Sequence, residues 1–343
     1  MKITYVLPSV GIAGGVLTVF ETVNRLIQRG HEARIITLNN TSSKVSWYPY
    51  KGETFNLQDI YKLEHDIIVA THYITAFFVA NLDIKAKKYY YIQHKESLFI
   101  NEENLDNNIK NKKEFVNEYR NYIEQSYLLP LKHITTSKWL YDMSRKNFKQ
   151  KPIRIKYGLN HDIFYPDPLF DKPQDKMRVL IEGTMQTTLW KGLKDAYEAI
   201  KKVKNIEVWT ISADELSEEN KKLIDKHWKA PSQDEIRHIY SSCDVLIKPS
   251  WYEGWGIGPM QAMACGCAII ITDNKGCKEY AKNNFNALIV PPKNPNAITK
   301  ALEKIKDHKL RTKLINNGLE TIKKFQWDSE IDKLEKVFKE DLL

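Results

Sequence analysis

The sequence predicts an α/β protein made of two doubly wound, parallel-sheet domains. Three observations carry this. A strand–glycine turn–helix–strand unit opens the chain and recurs about half a chain later, which implies two sheets rather than one. At 343 residues the chain exceeds the size that one hydrophobic core ordinarily serves. Strand and helix signals then keep alternating to the end of the chain.

The first unit reads "KITYVLPSV" as a buried strand, "GIAGG" as the turn, "VLTVFETVNRLIQRG" as a helix and "HEARIITL" as the second strand. The second reads "MRVLIEG", the loop "TMQTTLW", the helix "KGLKDAYEAIKKV" and the strand "IEVWTIS". Strand "CDVLIKPS", helix "PMQAMACG", strand "CAIIITD", short helix "KEYA" and strand "NALIVPP" follow, and 294–325 is helical throughout. Three prolines and alternating charges replace apolar periodicity at 165–176, which puts the boundary there: a first domain of 1–164 and a second beginning at 165. Open parallel sheets bind ligands at the carboxyl ends of their strands, so two facing sheets are expected to share a cleft. Residues 45–130 are the least legible part.

Composition is that of a soluble globular chain, 42% hydrophobic and 28% charged. No apolar run approaches the roughly 18 residues a membrane span needs. The start, "MKITYVLPSV", reads as a strand rather than a signal peptide, so cytoplasmic residence is expected. Cys243, Cys265, Cys267 and Cys277 have no recognised zinc spacing and read as buried thiols in a reducing compartment. The formal charge is +9, and residues 106–156 hold twelve Lys/Arg against five Asp/Glu, interleaved with Phe115, Tyr119, Tyr122, Tyr127, Trp139, Tyr141 and Phe148. That segment reads either as a solvated helical face or as a surface for anionic lipid or a phosphate-bearing substrate. No nucleic-acid motif accompanies it.

The chemistry concentrates in "PSWYEGWGIGPMQAMACGCAIIITD", 249–273. Pro259 fits the first position of a helix, which places glycine-rich "GWGIG" against a helix N-terminus. Unpaired N–H donors and the positive end of the dipole there suit a diphosphate. A tight strand–helix turn is the plainer alternative, less able to explain three glycines and a glutamate. Glu253 would repel a diphosphate but accept hydrogen bonds from hydroxyls. Gln261, placed on the first turn, is suited to hydroxyls on the nucleoside side. Together these describe a nucleotide sugar.

With those residues in view, "IYSSCDVLIKPSWYEGWGIGPMQAMACGCAIIITDNKGCKEYA" resembles the donor-site signature of the retaining glycosyltransferases of family four, which have the GT-B fold of two Rossmann-like domains. "GIAGGV", "YGLNHDIFYP", "WKGL" and "KFQWDSEIDKLEKVF" resemble further motifs of that family. In that fold the last helix returns to the first domain, so residues from about 327 to 343 are assigned there and the second domain becomes 165–326. The resemblance implies that Glu253 contacts the donor sugar on the reacting face. It implies that Gly254, Trp255, Gly256 and Ile257 line the donor, with the Gly256 and Ile257 amides on sugar and phosphate oxygens. Lys191 is implied to neutralise the diphosphate, with Gly14 and Gly15 letting backbone approach it.

His94 matches a histidine near the transferred sugar; a satisfied histidine at a strand end is its structural alternative. Glu279 matches a family glutamate, with a helix-start role as its alternative. Two positions depart from the pattern: Gln261 stands for a glutamate, and Thr184 for an arginine. The first weakens a ribose contact and the second removes a cation. No Asp-x-Asp occurs, so no catalytic metal or other cofactor is expected. The implied function is retaining transfer from a nucleotide-diphosphate sugar to a glycan or lipid-linked acceptor, in the cytoplasm or peripheral at the inner face of the membrane. A weak or inactive partner subunit of the same fold is the alternative.

Overall fold

A computed structural model describes residues 1–39, 45–106, 108–183 and 188–343. It divides into two units, Met1–Gly158 with Trp327–Leu343, and Leu159–Gln326.

The first unit holds seven parallel strands: β1 (Lys2–Leu7), β2 (Glu32–Thr37), β3 (Thr54–Asn56), β4 (Ile67–Ala70), β5 (Lys87–Ile92), β6 (Lys132–Thr135) and β7 (Ile153–Arg154). Their order is β3-β2-β1-β4-β5-β6-β7, so the winding reverses between β1 and β4. The inner strands are covered on both faces, which is why "ITYVL" and "IIVA" read as unbroken apolar runs. Val6, Ile36, Ile68, Tyr90 and Ile92 meet Val79 and Leu140 from the covering helices in one core. The poorly legible 45–130 segment supplies β3 to β5 and the helices Tyr73–Ala80 and Lys112–Gln125. β3 is three residues long, and β5 opens on two lysines, so neither carries a clean period.

The helix Trp327–Leu342 belongs to this unit and buries Ile331, Leu334 and Phe338. Chain crossing is tight: a Cβ on Gly158 would lie 2.4 Å from the Trp327 nitrogen. Arg29 pairs with Asp332 and Glu335, and His31 Nε2 meets Glu335 Oε1 at 2.6 Å. Glu330 accepts the Lys156 N–H at 3.0 Å.

The second unit holds β8 (Met177–Glu182), β9 (Ile206–Ser212), β10 (Lys226–Lys229), β11 (Val245–Lys248), β12 (Ala268–Thr272) and β13 (Leu288–Val290). They run parallel in the order β10-β9-β8-β11-β12-β13, reversing between β8 and β11. The edge strand β10, "KHWK", escapes sequence reading because it is short and carries two lysines. The helical run 294–325 is two helices, Pro295–Ile305 and His308–Ile322. Asp307 breaks it by accepting the Lys309 N–H at 2.9 Å, an N-cap the periodicity hid.

The unit boundary falls at Leu159 rather than 165. Leu159 donates its N–H to the Phe325 carbonyl at 3.0 Å, which ties the preceding turn to the second unit. The proline-rich run is also laid down on that unit: the Asp167 and Leu169 amides donate to Ser241 and Ser242.

Burial alone would raise the Glu335 carboxyl, but its bonds to His31 and Arg29 hold it below its ordinary value of 4.5. A lowered carboxylate contributes stability above the ordinary value and loses it as pH falls through the lowered one. Glu335→Gln is therefore expected to cost about 1–3 kcal/mol near neutral pH in urea unfolding. That difference should shrink as pH falls below the carboxylate range; a pH-independent difference would contradict the assignment.

Candidate active site in the second unit

The strand reversal leaves the carboxyl ends of β8 and β11 side by side, the place where such sheets bind ligands. From β11 the chain runs through Pro249 into the turn that ends at Gly256, whose φ of 87° and ψ of 77° suit glycine. The Tyr280 hydroxyl pins this turn by donating to the Gly256 carbonyl at 2.7 Å.

The helix that follows is Ile257–Ala264, so it begins two residues before Pro259. Proline is tolerated there because none of the first four helical N–H groups has a partner within the helix. Gln261 consequently lies one turn in, and it is buried.

Lys191 closes the short turn Leu189–Lys191 after the first helix-connecting loop. Gly192 follows at φ 68°, and a Cβ there would lie 2.2 Å from the Pro249 carbonyl. The Trp251 N–H donates to the Trp190 carbonyl at 2.6 Å, and its indole N–H to Asp195 at 2.8 Å. These contacts sew together two loops sixty residues apart in sequence, and Lys191 Nζ meets Glu253 Oε1 at 2.8 Å. Glu253 is buried, and its N–H donates to the Asn274 carbonyl at 2.9 Å.

Trp255 differs from expectation. Its side chain is 2% exposed, donates to Met260 Sδ and packs on Tyr280 and Phe325. Its side chain is a packing group. Gly254 is buried in the same turn, and Glu279 ends the short turn Gly276–Glu279. Thr184 lies outside the described residues.

Sequence reasoning missed a second ion pair beneath this loop. Lys248, 5% exposed, donates to Glu182 Oε1 at 2.7 Å, and the Tyr240 hydroxyl donates to Oε2 at 2.7 Å. Burial opposes both charges, yet Lys248 holds the Glu182 carboxyl below its ordinary range. Glu182 and Glu253 likewise lift the lysine against its burial. Both partners are ionised. Gly258 is required here, since a Cβ on it would lie 2.2 Å from Glu182 Oε2. Gly276 has a matching duty, its Cβ position being 2.7 Å from the Trp255 backbone. The only sequence signal for this pair was a charge at the end of each of two apolar strands.

In the first unit, Gly14 and Gly15 open the helix Gly14–Gln28 after β1. A Cβ on Gly14 meets nothing within 4 Å, and one on Gly15 approaches Gln93 Oε1 at 3.1 Å. That oxygen accepts from Thr18 and Tyr157, both at 2.8 Å. His94 follows Gln93 at the carboxyl end of β5, its ring 4.2 Å from Phe99 and 6.1 Å from Trp139. The structure thus joins Lys191 to Glu253 and the glycine turn in one unit, and sets Gly14, Gly15 and His94 at one sheet edge in the other.

Removing one partner of a buried pair leaves an uncompensated charge. Lys248→Met is expected to cost about 3–5 kcal/mol, and the double change with Glu182→Leu to recover much of it. Equal unfolding midpoints for wild type and Lys248→Met would show that the pair is not buried in solution.

Residues 171–321 match the family described as Glycosyl transferases group 1. An uncharacterized glycosyltransferase of Methanocaldococcus jannaschii is 28% identical over 218 residues, 61% of this chain and 59% of that protein. The N,N'-diacetylbacillosaminyl-diphospho-undecaprenol alpha-1,3-N-acetylgalactosaminyltransferase of Campylobacter jejuni is 30% identical over 101 residues, 29% of this chain and 26% of that protein. The match thus spans under two thirds of each relative's length. Among solved structures, sucrose-phosphate synthase of Thermosynechococcus elongatus superposes with a TM-score of 0.80 at 17% identity, covering 98% of both chains. The chain has the GT-B fold, and its second unit carries the match to the group 1 glycosyl transferases.

Proposed function

We propose that this chain is a retaining glycosyltransferase of family four. In this reading it moves a sugar from a nucleotide-diphosphate sugar to a glycan or lipid-linked acceptor. The observation that carries the reading is the 2.8 Å contact of Lys191 with Glu253, at the head of a helix entered through a positive-φ glycine. The group 1 match supports the activity. The Campylobacter relative, named for transfer onto a diphospho-undecaprenol-linked sugar, supports a lipid-linked acceptor.

In this reading the diphosphate rests against the Gly256 and Ile257 amides, and Lys191 turns from Glu253 to meet it. Glu253 then accepts hydrogen bonds from the sugar. Gly14 and Gly15 let first-unit backbone approach the donor, and His94 contacts the transferred sugar. The bond from the anomeric carbon to phosphate oxygen breaks with its electron pair going to the diphosphate, where the lysine and amides stabilise the growing charge. The acceptor oxygen bonds to that carbon on the same face, and its proton passes to the departing phosphate oxygen. Lys191 and the helix N-terminus take the part that a metal plays elsewhere, so no metal or cofactor is assigned. Exposed Phe115 and Tyr122 in the basic segment support work at an anionic membrane surface on the cytoplasmic side. No helix among the described residues is long and apolar enough to cross a membrane.

The buried Gln261 favours one variation, a deoxyribose donor nucleotide that needs no charged ribose contact. Calorimetry with thymidine, uridine and guanosine diphosphates tests it: thymidine diphosphate should bind tightest, and clear preference for a ribose form would end the idea.

Lys191→Ala should lower turnover about 10²–10³-fold in a nucleotide-release assay while keeping a cooperative melting transition. Undiminished transfer would remove the lysine from the mechanism. Failure of the wild type to release nucleotide from any donor would favour the inactive-subunit reading, which Gln261 and Thr184 support.

A further inference from the structure

Three neighbouring strands of the first unit send candidate residues to one sheet edge. Gly14 and Gly15 follow β1, His72 follows β4, and His94 and Glu96 follow β5. The winding reverses between β1 and β4, so His72 stands where open parallel sheets take their ligands.

His72 and Glu96 meet there without bonding. His72 Nε2 lies 3.7 Å from Glu96 Oε1, beyond hydrogen-bond reach. The other end of each group is used. The Ile74 N–H donates to His72 Nδ1 at 3.4 Å, so His72 caps the helix Tyr73–Ala80. That bond leaves the proton of a neutral ring on Nε2. Burial holds the ring down at about 4, so it is neutral at neutral pH. Glu96 Oε2 accepts from the Tyr90 hydroxyl at 2.8 Å and the Tyr73 N–H at 3.1 Å. Burial outweighs those donors and pushes the Glu96 carboxyl up to about 8, so it keeps its proton, and Oε1 is the oxygen left to carry it.

Two donors thus face each other, and among the described residues neither has an acceptor. Capping and anchoring of the helix account for Nδ1 and Oε2 and leave Nε2 and Oε1 unexplained. A hydroxyl oxygen placed between them would accept from both. With neither group charged, a neutral oxygen is the matched ligand. Glu96 is 6% exposed and the His72 side chain 32%, so the histidine is the reachable member. The Tyr73 ring packs 4.5 Å from the histidine, and the Tyr119 hydroxyl holds that of Tyr73 at 2.7 Å, which fixes the ring in place.

We propose that His72 is an acceptor-binding residue, positioned by Glu96, and that the pair holds one hydroxyl oxygen of the acceptor sugar. This rests on the transferase reading above. That reading gives the donor its partners at Gly14, Gly15, His94 and in the second unit, and gives the acceptor none. His72 follows the strand that lies between those carrying the glycines and His94.

The test is ligand-observed NMR of the full chain with methyl glycosides of glucose, galactose, mannose and N-acetylglucosamine. Calorimetry with uridine, guanosine, adenosine and thymidine diphosphates runs beside it. At least one glycoside should bind the wild type saturably. His72→Asn keeps a capping oxygen, and Glu96→Leu removes the acid. Each should bind that glycoside about tenfold more weakly, the ordinary worth of one or two hydrogen bonds. Glu96→Gln should stay near wild type, because its amide N–H stands where the carboxyl proton stood. The melting point and nucleotide affinity of His72→Asn should match wild type, a split that a merely structural role would not give. Wild-type glycoside affinity in His72→Asn, or a wild type that binds no glycoside, overturns the inference while leaving the donor site standing. A fall in nucleotide affinity instead of glycoside affinity assigns the pair to the donor and likewise overturns it. A wild type that binds a glycoside but none of the nucleotides overturns the transferase reading, and the acceptor role with it.

Discussion

Two close acid–base pairs at the carboxyl ends of β8 and β11 set the terms for the second unit. Lys191 faces Glu253, and Lys248 faces Glu182. Taking any one of them out of water alone is costly, and each pair repays that cost only with close geometry. The pairs are also coupled: Lys248 feels Glu253, and Glu182 feels Lys191. The set sums to zero formal charge. The head of Ile257–Ala264 adds the amide donors and the positive end of the helix dipole. Two duties are thus combined here: the paired charges hold the loops together, and in the proposed reading Lys191, Glu253 and the helix-head amides also meet the ligand.

The closeness of these loops changes how the glycines are understood. A run of glycines before a helix reads naturally as room for phosphate. Only Gly256 has a torsional reason within the turn itself. Gly258 is small because Glu182 lies against it, and Gly192 and Gly276 are small because other backbone passes there. The glycine pattern therefore reports protein packed on protein as much as protein open to ligand. The same holds at Gly158, where the constraint is the returning Trp327.

The repeated strand–turn–helix units made the fold class legible, because central parallel strands must be apolar on both faces and cannot hide. The elements that escaped, β3, β10 and the capped break at Asp307, are short or decided by a single hydrogen bond. For the candidate site, Lys191, Glu253 and the glycine turn were legible by resemblance, and the distance joining the first two was not. The resemblance implied that Trp255 lines a donor, and what it did not reveal is that the indole completes a cluster with Tyr280 and Phe325. Glu182 and Lys248 were invisible for the opposite reason. A charge at a strand end usually marks solvent, and only the fold reveals that these two ends are adjacent and covered.

In the transfer proposed above, the arrangement of Lys191 bears on how product trapping is avoided. A lysine held free for a diphosphate would bind substrate and leaving group alike, which tightens both without lowering the barrier. A lysine already satisfied by Glu253 gives up one ionic contact to make another, so the gain is small in the ground state. It grows only as the departing diphosphate acquires charge. When the product leaves, the lysine returns to the carboxylate, and neither state leaves a buried charge alone. On that proposed reading the 2.8 Å contact is a resting partner for the cation, and its strength sets how much of the electrostatic stabilisation is kept for the transition state.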